Sequence, residues 1–311
     1  MSESLMERLS RRVVGLMGMR TTTSASLIKY TLDGIPLLLP ASHPLPVYRR
    51  DHPQYSSNVG RIAAALARQN PQFTFIDIGA NVGDTLAIVR SQAKFPVLCI
   101  EGAAAYLSLL RANAAQFQDV EIEGSFVGIA DRTYAAVAPS AGTAQLVVGK
   151  QVAEGEPGAV KTKSLATILA GHPRFSRPAM IKIDTDGMDT AIIKQEIALL
   201  ADLHPVLFFE YDPHLFAAHD RSGFGVFASL LRAKYQSLLV YTNVGDLLCR
   251  THLRDPEMLR DLHEFFSCRG GQQYCDICAF PERMTEMCNA IHASELDFFR
   301  DFRSRPGGAH A

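Results

Sequence analysis

The sequence predicts an α/β fold built on a doubly wound, mostly parallel sheet, on three observations. Apolar, strand-like runs alternate with helical stretches through the middle of the chain. A loop with Gly79 and Gly83 sits where the first of those runs turns into a helix. Acidic residues close several runs, at Glu101, Asp184 and Glu210, on the edge where open α/β sheets keep their ligands.

The elements follow in order. Leu27–Leu32 and Ile35–Leu39 read as a hairpin around Asp33-Gly34, a favoured two-residue turn. Pro40, Pro44 and Pro46 then imply an extended, irregular path through about His52. Ile62–Gln69 has helical spacing and stops at Asn70-Pro71. Phe73–Ile78 is the first buried strand, with a helix over Thr85–Gln92. Phe95–Ile100 is the second, with a helix over Ala104–Ala115, and Val120–Phe126 is the third. Residues 132–160 are rich in Ala, Gly and Pro and read as a small hairpin and loop. Ser164–Leu169 is a short helix, and the strands Ala179–Ile183 and Pro205–Glu210 flank a helix over Thr190–Leu200. A helix over Gly225–Lys234 follows, then strands near Ser237–Thr242, Leu247–Cys249 and Gln273–Phe280. Ahead of all these, Leu5, Leu9, Val13 and Leu16 fit one face of an amphipathic helix over residues 1–20, with Arg8, Arg11 and Arg12 beside it. Such a helix packs on its own domain or touches a membrane surface or partner. No repeat or low-complexity linker divides the chain. The expected organisation is an N-terminal helix and hairpin over residues 1–56 and one large domain over 57–311 that includes a C-terminal α/β extension.

Composition narrows the function classes. The 311 residues are 47% apolar and 20% charged, with 31 basic against 32 acidic side chains. A general nucleic-acid binder carries a basic excess or stripe, so no nucleic-acid partner is expected. No stretch approaches the ~18 consecutive apolar residues of a membrane span. Six sparse cysteines without a convincing secretory signal ahead of them do not make a disulfide framework and point to the cytoplasm. Cys275 and Cys278 have zinc-like spacing, yet positions i and i+3 of a strand face opposite sides, so both read as small buried hydrophobes.

The chemistry concentrates in Asp77-Ile78-Gly79-Ala80-Asn81-Val82-Gly83-Asp84-Thr85. Glycines there let the backbone approach a ligand at a helix N-terminus. A dinucleotide fingerprint would read G-x-G-x-x-G; Asn81 stands where its second glycine belongs, which disfavours a nicotinamide dehydrogenase. Glu101 lies 22 residues after Gly79 and can accept hydrogen bonds from both ribose hydroxyls. An acid-rich loop suits a cationic nucleoside better than a diphosphate, and points to S-adenosylmethionine.

With those residues in place, the chain resembles the FkbM-type family of S-adenosylmethionine-dependent methyltransferases. The resemblance rests on Phe75–Thr85, on Cys99-Ile100-Glu101-Gly102 with Asn113 downstream, on Ser164-Leu165, on Ile181–Gly187 and on Phe208-Phe209-Glu210-Tyr211. It spans roughly residues 43–300, including His43-Pro44-Leu45-Pro46 and Tyr274-Cys275-Asp276-Ile277. One departure is Leu165-Ala166, where many relatives look like Leu-Asp. The resemblance implies a class I methyltransferase, Rossmann-like fold and O-methylation, often of a sugar hydroxyl in a polysaccharide, glycolipid or antibiotic. It puts Asp77, Gly79, Asn81 and Gly83 around the methionine end of the cofactor and Glu101 on the ribose. Phe126, Val127 and Asp131 are candidates for the adenine edge, and Asn113 for support of the following helix or loop.

A sugar hydroxyl is a poor nucleophile until its proton is removed, so a base or a divalent metal is expected opposite the sulfonium. Asp184 ranks first as base or metal ligand, Glu210 second and Asp186 third, with His214 a neutral-pH alternative. Lys182, in a buried strand pattern, reads as snorkelling or paired with an acid. His43 and His52 read as borders of the acceptor pocket. The acceptor is expected to be a carbohydrate. Two other readings are methylation of a polyketide or other small secondary metabolite, and a non-catalytic nucleoside-binding module of a glycan-assembly complex. A homodimer is the expected oligomer. Glu101→Ala and Gly79→Val are both expected to abolish cofactor binding with the fold intact.

Overall fold

The computed structural model describes residues 26–128, 133–136, 146–151 and 159–304. The amphipathic stretch over residues 1–20 and Asp131 lie outside the described residues, as does much of 132–160.

The chain opens with the hairpin β1 (Leu27–Leu32) and β2 (Ile35–Pro40), then the helices α1 (Leu45–Asp51) and α2 (Ser57–Gln69). β3 (Phe75–Ile78), α3 (Asp84–Gln92), β4 (Val97–Ile100), α4 (Ala104–Ala114) and β5 (Val120–Glu123) follow. A side sheet contains β6 (Phe126–Val127), β7 (Thr133–Ala136), β8 (Leu146–Gln151) and β9 (Ala159–Lys163). Next come α5 (Leu165–Gly171), β10 (Met180–Ile183), α6 (Asp189–Gln195), α7 (Ile197–Leu203) and β11 (Val206–Tyr211). The last part holds α8 (Pro213–His219), α9 (Val226–Arg232), β12 (Tyr235–Thr242), β13 (Leu247–His252), α10 (Pro256–Ser267), β14 (Cys275–Pro281) and α11 (Thr285–Ser304).

The main sheet has eight strands in the order β13-β12-β14-β11-β10-β3-β4-β5. β5, β4, β3, β10 and β11 run parallel, and β14 returns antiparallel between β11 and β12. This is the doubly wound, class I arrangement the sequence predicts. Apolar residues cover both faces, as a parallel sheet requires. Ile76, Ile78, Leu98, Ile100, Ile181 and Ile183 pack on one side; Phe75, Val97, Cys99 and Met180 pack on the other. Cys275 and Cys278 bury on these opposite faces. Because the chain winds from β3 toward β4 and later from β10 toward β11, the two halves part between β3 and β10. That switch point opens a crevice at the carboxyl edge.

Several elements depart from the sequence reading, each for a physical reason. The proline-rich segment forms α1 in place of an irregular path, because Pro44 is the N-cap and Pro46 lies in the first turn. Amide donors are unused there and a fixed φ suits the helix start. The third strand stops at Glu123; Phe126 crosses beside Gly102 and pairs with β9 in the side sheet. The helix expected over Thr190–Leu200 breaks at Glu196, whose Oε1 accepts the Leu165 N–H of α5 at 3.1 Å. Three helices, α8, α10 and α11, occupy stretches given no element. Asp212 and Asp255 cap the first two through side-chain oxygens, each followed by a proline in the first turn.

The hairpin packs its Leu32, Leu37 and Leu39 against Val82, Ala87, Ile88 and Tyr106 of α3 and α4 and their approaches. At the far end Glu295 of α11 makes a bidentate pair with Arg61 of α2, at 2.6 and 2.7 Å. Both terminal additions are thereby fastened to the sheet's helical layer. No helix among the described residues is long and apolar enough to cross a membrane.

Candidate active site

A cleft of about 200 Å³ lies at the switch point. The loop after β3 forms its floor. Gly79 and Asn81 both hold positive φ, +81° and +48°. A Cβ on Gly79 would stand 1.8 Å from the Asp184 carbonyl oxygen, so the β3 and β10 loops touch with no room for a side chain. Gly83, at φ +89°, starts α3 and turns the chain without lining the cleft. Asn113 holds the loop from outside: its Nδ2 donates to the carbonyls of Val82 (2.8 Å) and Leu38 (3.0 Å), and its Oδ1 accepts from the Leu38 N–H (2.7 Å). Support for the following helix or loop was expected; Asn113 instead holds the preceding glycine loop and a strand of the hairpin.

Glu101 ends β4 and is buried. Its Oε2 accepts from the Asn81 N–H at 2.8 Å and its Oε1 from the Ala103 N–H at 2.7 Å. Burial raises its pKa, and those backbone donors oppose the rise. The carboxyl thus braces two loops while still bordering the cleft. Beside it the Phe126 ring lies so close to Gly102 that a Cβ there would meet it at 2.3 Å. Phe126 and Val127 give this end of the cleft an apolar wall.

The opposite end is polar. Asp184 and Asp186 follow β10, and Glu210 lies near the end of β11; all three border the cleft. Lys182 Nζ lies 2.9 Å from Asp184 Oδ2 and 3.4 Å from Asp77 Oδ1. Burial works against this ammonium, but Asp184 and Asp77 outweigh it and raise its pKa well above the ordinary lysine value. The expected pairing of Lys182 with an acid is what the structure contains. Asp77 is fully buried beneath the cleft and does not line it; burial, opposed by Lys182, pushes its carboxyl up to about 6. Asp186 stands at φ +51°, and burial with the charges of Asp184 and Asp189 pushes it up to about 7. Glu210 is raised well above the carboxylate range by burial first, then by Asp184, Asp189 and Asp186. Its Oε1 has no hydrogen-bond partner among the described residues.

Of the expected site residues, Gly79, Asn81, Glu101, Phe126, Asp184, Asp186 and Glu210 converge on the cleft, with Val127 and His43. Asp77 and Gly83 support it from below. His214 does not join them: it is exposed at the start of α8, its N–H on Asp212 Oδ1 at 2.8 Å. His52 is also outside the lining. No group of three or more His, Cys, Asp or Glu among the described residues is arranged to hold a metal ion.

Other lining residues were not anticipated as site residues. Asp84 and Thr85, in the first turn of α3, face the cleft. Asp84 was visible as the closing acid of the glycine motif. Tyr55, Tyr48 and Tyr274 also line it. Tyr48 is 44% exposed at the mouth, and its ring centroid lies 5.1 Å from that of Tyr55. These tyrosines carry no local sequence signal, because helix α1 and the inserted strand β14 bring them there.

The arrangement pairs a flat apolar wall and a carboxyl at one end with a carboxyl cluster around one lysine at the other. It suits a nucleoside carrying positive charge. Solved structures with a similar fold include an FkbM methyltransferase from Methylobacillus flagellatus, at 13% identity and TM-score 0.36, covering 62% of this chain and 54% of that one. An O-methyltransferase from Bacillus cereus in complex with SAH shows 13% identity and TM-score 0.39, covering 76% of this chain and 88% of that one. A precorrin-6y C5,15-methyltransferase from Geobacter metallireducens shows 10% identity and TM-score 0.35, covering 71% and 87%. No curated protein matches the chain. The model of the methyltransferase FkbM domain matches residues 77–235, from the first acid of the glycine loop through the cluster at Glu210 to the start of β12, and the chain belongs to the FkbM methyltransferase family.

Proposed function

We propose that the chain transfers a methyl group from S-adenosylmethionine to a hydroxyl, and that the hydroxyl belongs to a carbohydrate. The observation that carries this reading is the division of one cleft into a nucleoside-shaped end, with Glu101 and Phe126, and a carboxyl-rich end, with Glu210, Asp184 and Asp186. The residues present fit the cofactor: Glu101 retains acceptor capacity for the ribose hydroxyls, Phe126 offers a ring face for adenine, and the acids from Asp84 to Asp186 suit its cationic groups. S-adenosylmethionine supplies, when bound, an electrophilic methyl carbon on a positively charged sulfur.

The chain's own contribution is to position the acceptor, exclude water and take a proton. Glu210 suits the base role better than Asp184. Asp184 Oδ2 is engaged by Lys182, whereas Glu210 combines an unpartnered oxygen with a raised pKa. Asp184 then fixes Lys182 and the wall of the cleft. The exposed Tyr48 face at the mouth and the buried carboxyls within fit a sugar ring, which presents apolar C–H faces and hydroxyl edges together. The cytoplasm, where S-adenosylmethionine is made, is the proposed setting.

Calorimetric titration with S-adenosylhomocysteine, followed by a methyl-transfer screen against sugar nucleotides and glycan oligomers with and without magnesium, tests this. Binding with transfer to a saccharide is expected. A folded sample that binds no S-adenosylhomocysteine would sink the reading.

A further inference from the structure

Next to the cleft, and opening from its carboxyl-rich end, lies a small recess of about 20 Å³, room for one water-sized group. Asn58, Asn243, Tyr274, Asp276, Glu210 and Tyr55 form half of its wall, and Lys182 and Asp184 of the main cleft border it too. Of the six, all but Glu210 fall outside the segment 77–235 shared with the family. They come from the start of α2, the turn after β12 and the start of β14.

Three features of this recess are unusual for a structural site. Asn58 is 0% exposed, and its Oδ1 accepts from the Val59 N–H while its Nδ2 donates to nothing among the described residues. Glu210 Oε1 likewise has no partner. Glu210 and Asp276 also stand directly opposite each other in the β11–β14 ladder, a like-charge pairing that ordinarily destabilises a sheet. Burial raises Asp276 well above the carboxylate range, with Asp184 adding to the rise. Buried polar atoms are nearly always satisfied, so an orphan donor and an orphan acceptor beside one small space call for a ligand group.

Their chemistry selects that group. An ammonium would satisfy Glu210 and face the Asn58 donor with another donor. A carboxylate would satisfy Asn58 but meet three more carboxyls, Glu210, Asp276 and Asp184, with Lys182 already paired to Asp184 and Asp77. A hydroxyl accepts from Asn58 Nδ2 and donates to Glu210 Oε1. We infer that the recess is an acceptor subsite that reads a second hydroxyl, adjacent to the one methylated, so that the enzyme requires a polyol and rejects isolated alcohols. Asn58 and Asp276 are its specificity residues, and Glu210 links it to the reaction site, Oε1 holding the second hydroxyl and Oε2 left to take the proton of the methylated one.

This inference rests on the methyltransferase reading, and the test separates the two. Wild type and Asn58→Leu are first titrated with S-adenosylhomocysteine; equal binding is expected, and no binding by wild type would overturn both readings. A high-resolution crystal structure of the wild-type complex should then show one water within hydrogen-bond distance of Asn58 Nδ2 and Glu210. A dry recess, or an Asn58 amide bonded to a protein carbonyl, would overturn the subsite. Finally, methyl transfer is compared on a panel of methyl pyranosides and their monodeoxy derivatives. In wild type, removal of one unmethylated hydroxyl should lower kcat/KM by about 10- to 100-fold, the effect of leaving buried polar groups unpaired. In Asn58→Leu, and in Asp276→Asn should the leucine variant fold poorly, that penalty should shrink several-fold. An equal deoxy penalty in wild type and variants, or transfer to no member of the panel, would overturn the proposal.

Discussion

Among the described residues Glu210 has an oxygen without a partner, and burial together with four nearby aspartates favours its protonated form. A base works only when deprotonated, so methyl transfer by Glu210 should rise as pH climbs through its elevated pKa. The acidic limb of the kcat/KM profile is therefore expected above the ~4.3 of an ordinary glutamate. Glu210→Gln should remove that limb and lower kcat by roughly 10²- to 10⁴-fold, with S-adenosylhomocysteine binding retained. An unchanged pH profile in the variant would assign the limb to another group. Gly79 makes a different demand. The sequence reading treats Gly79→Val as a clean loss of binding, but any Cβ would collide with the Asp184 carbonyl and force apart the loops that β3 and β10 feed. Gly79→Ala should consequently lower the free energy of unfolding by several kcal/mol, in the range of overpacked and strained positions, and shift the urea midpoint down accordingly. A midpoint equal to wild type would show that the two loops can separate freely. Glycine at this position was legible as a ligand approach; its role as a strand-to-strand contact was not, because Asp184 is over a hundred residues away in sequence.

Among the elements, the hairpin and the glycine loop act as one unit through Asn113. Its side chain spans Leu38 on β2 and Val82 in the loop, and the leucines of the hairpin cover the apolar side of α3 and α4. Asn113→Ala leaves the Val82 carbonyl and the Leu38 N–H and carbonyl without these partners, an expected loss of about 1–3 kcal/mol. It should also weaken S-adenosylhomocysteine binding, since the loop loses its outer support. Chemical denaturation and titration of the same variant check both, and a stability loss with unchanged affinity would show that the loop holds its shape without the hairpin. The elements that sequence patterning reveals are those whose signal is local. Buried β-branched runs mark β3, β4, β10 and β11, and the Asp33-Gly34 turn marks the hairpin. The helix α1 hides behind prolines that break helices elsewhere and start them here. The insertion of β14 between β11 and β12 depends on a long-range antiparallel ladder, so Tyr274 and Asp276 gave no sign of facing Glu210.

Across the whole molecule, the cleft gathers carboxyl groups faster than it gathers cations. Asp77 is pushed up to about 6 and Asp186 and Asp189 to about 7, in each case by burial first, while Lys182 is the cation ion-paired with Asp77 and Asp184. An acid whose pKa is higher folded than unfolded binds protons more tightly in the folded state. Its contribution to stability is complete below the unfolded value, ~3.9 for aspartate, and is lost as pH rises through the folded value. These groups should therefore make the ligand-free protein progressively less stable from about pH 4 to beyond pH 7. Asp189 offers a test that leaves the geometry in place, because an amide at this position can still accept from Thr185 Oγ1, now at 2.9 Å. The thermal midpoint of Asp189→Asn should match wild type only below about pH 4 and exceed it by a margin that grows steadily up to about pH 8, one kcal/mol corresponding to roughly 2–4 °C in a domain of moderate size. The same linkage distinguishes ligands. A sulfonium cation relieves the repulsion among these carboxylates and the uncharged thioether of S-adenosylhomocysteine does not, so stabilisation by S-adenosylmethionine should grow with pH relative to that by the homocysteine. Parallel pH dependence for the two ligands would mean that the carboxyl cluster serves the acceptor side of the cleft alone.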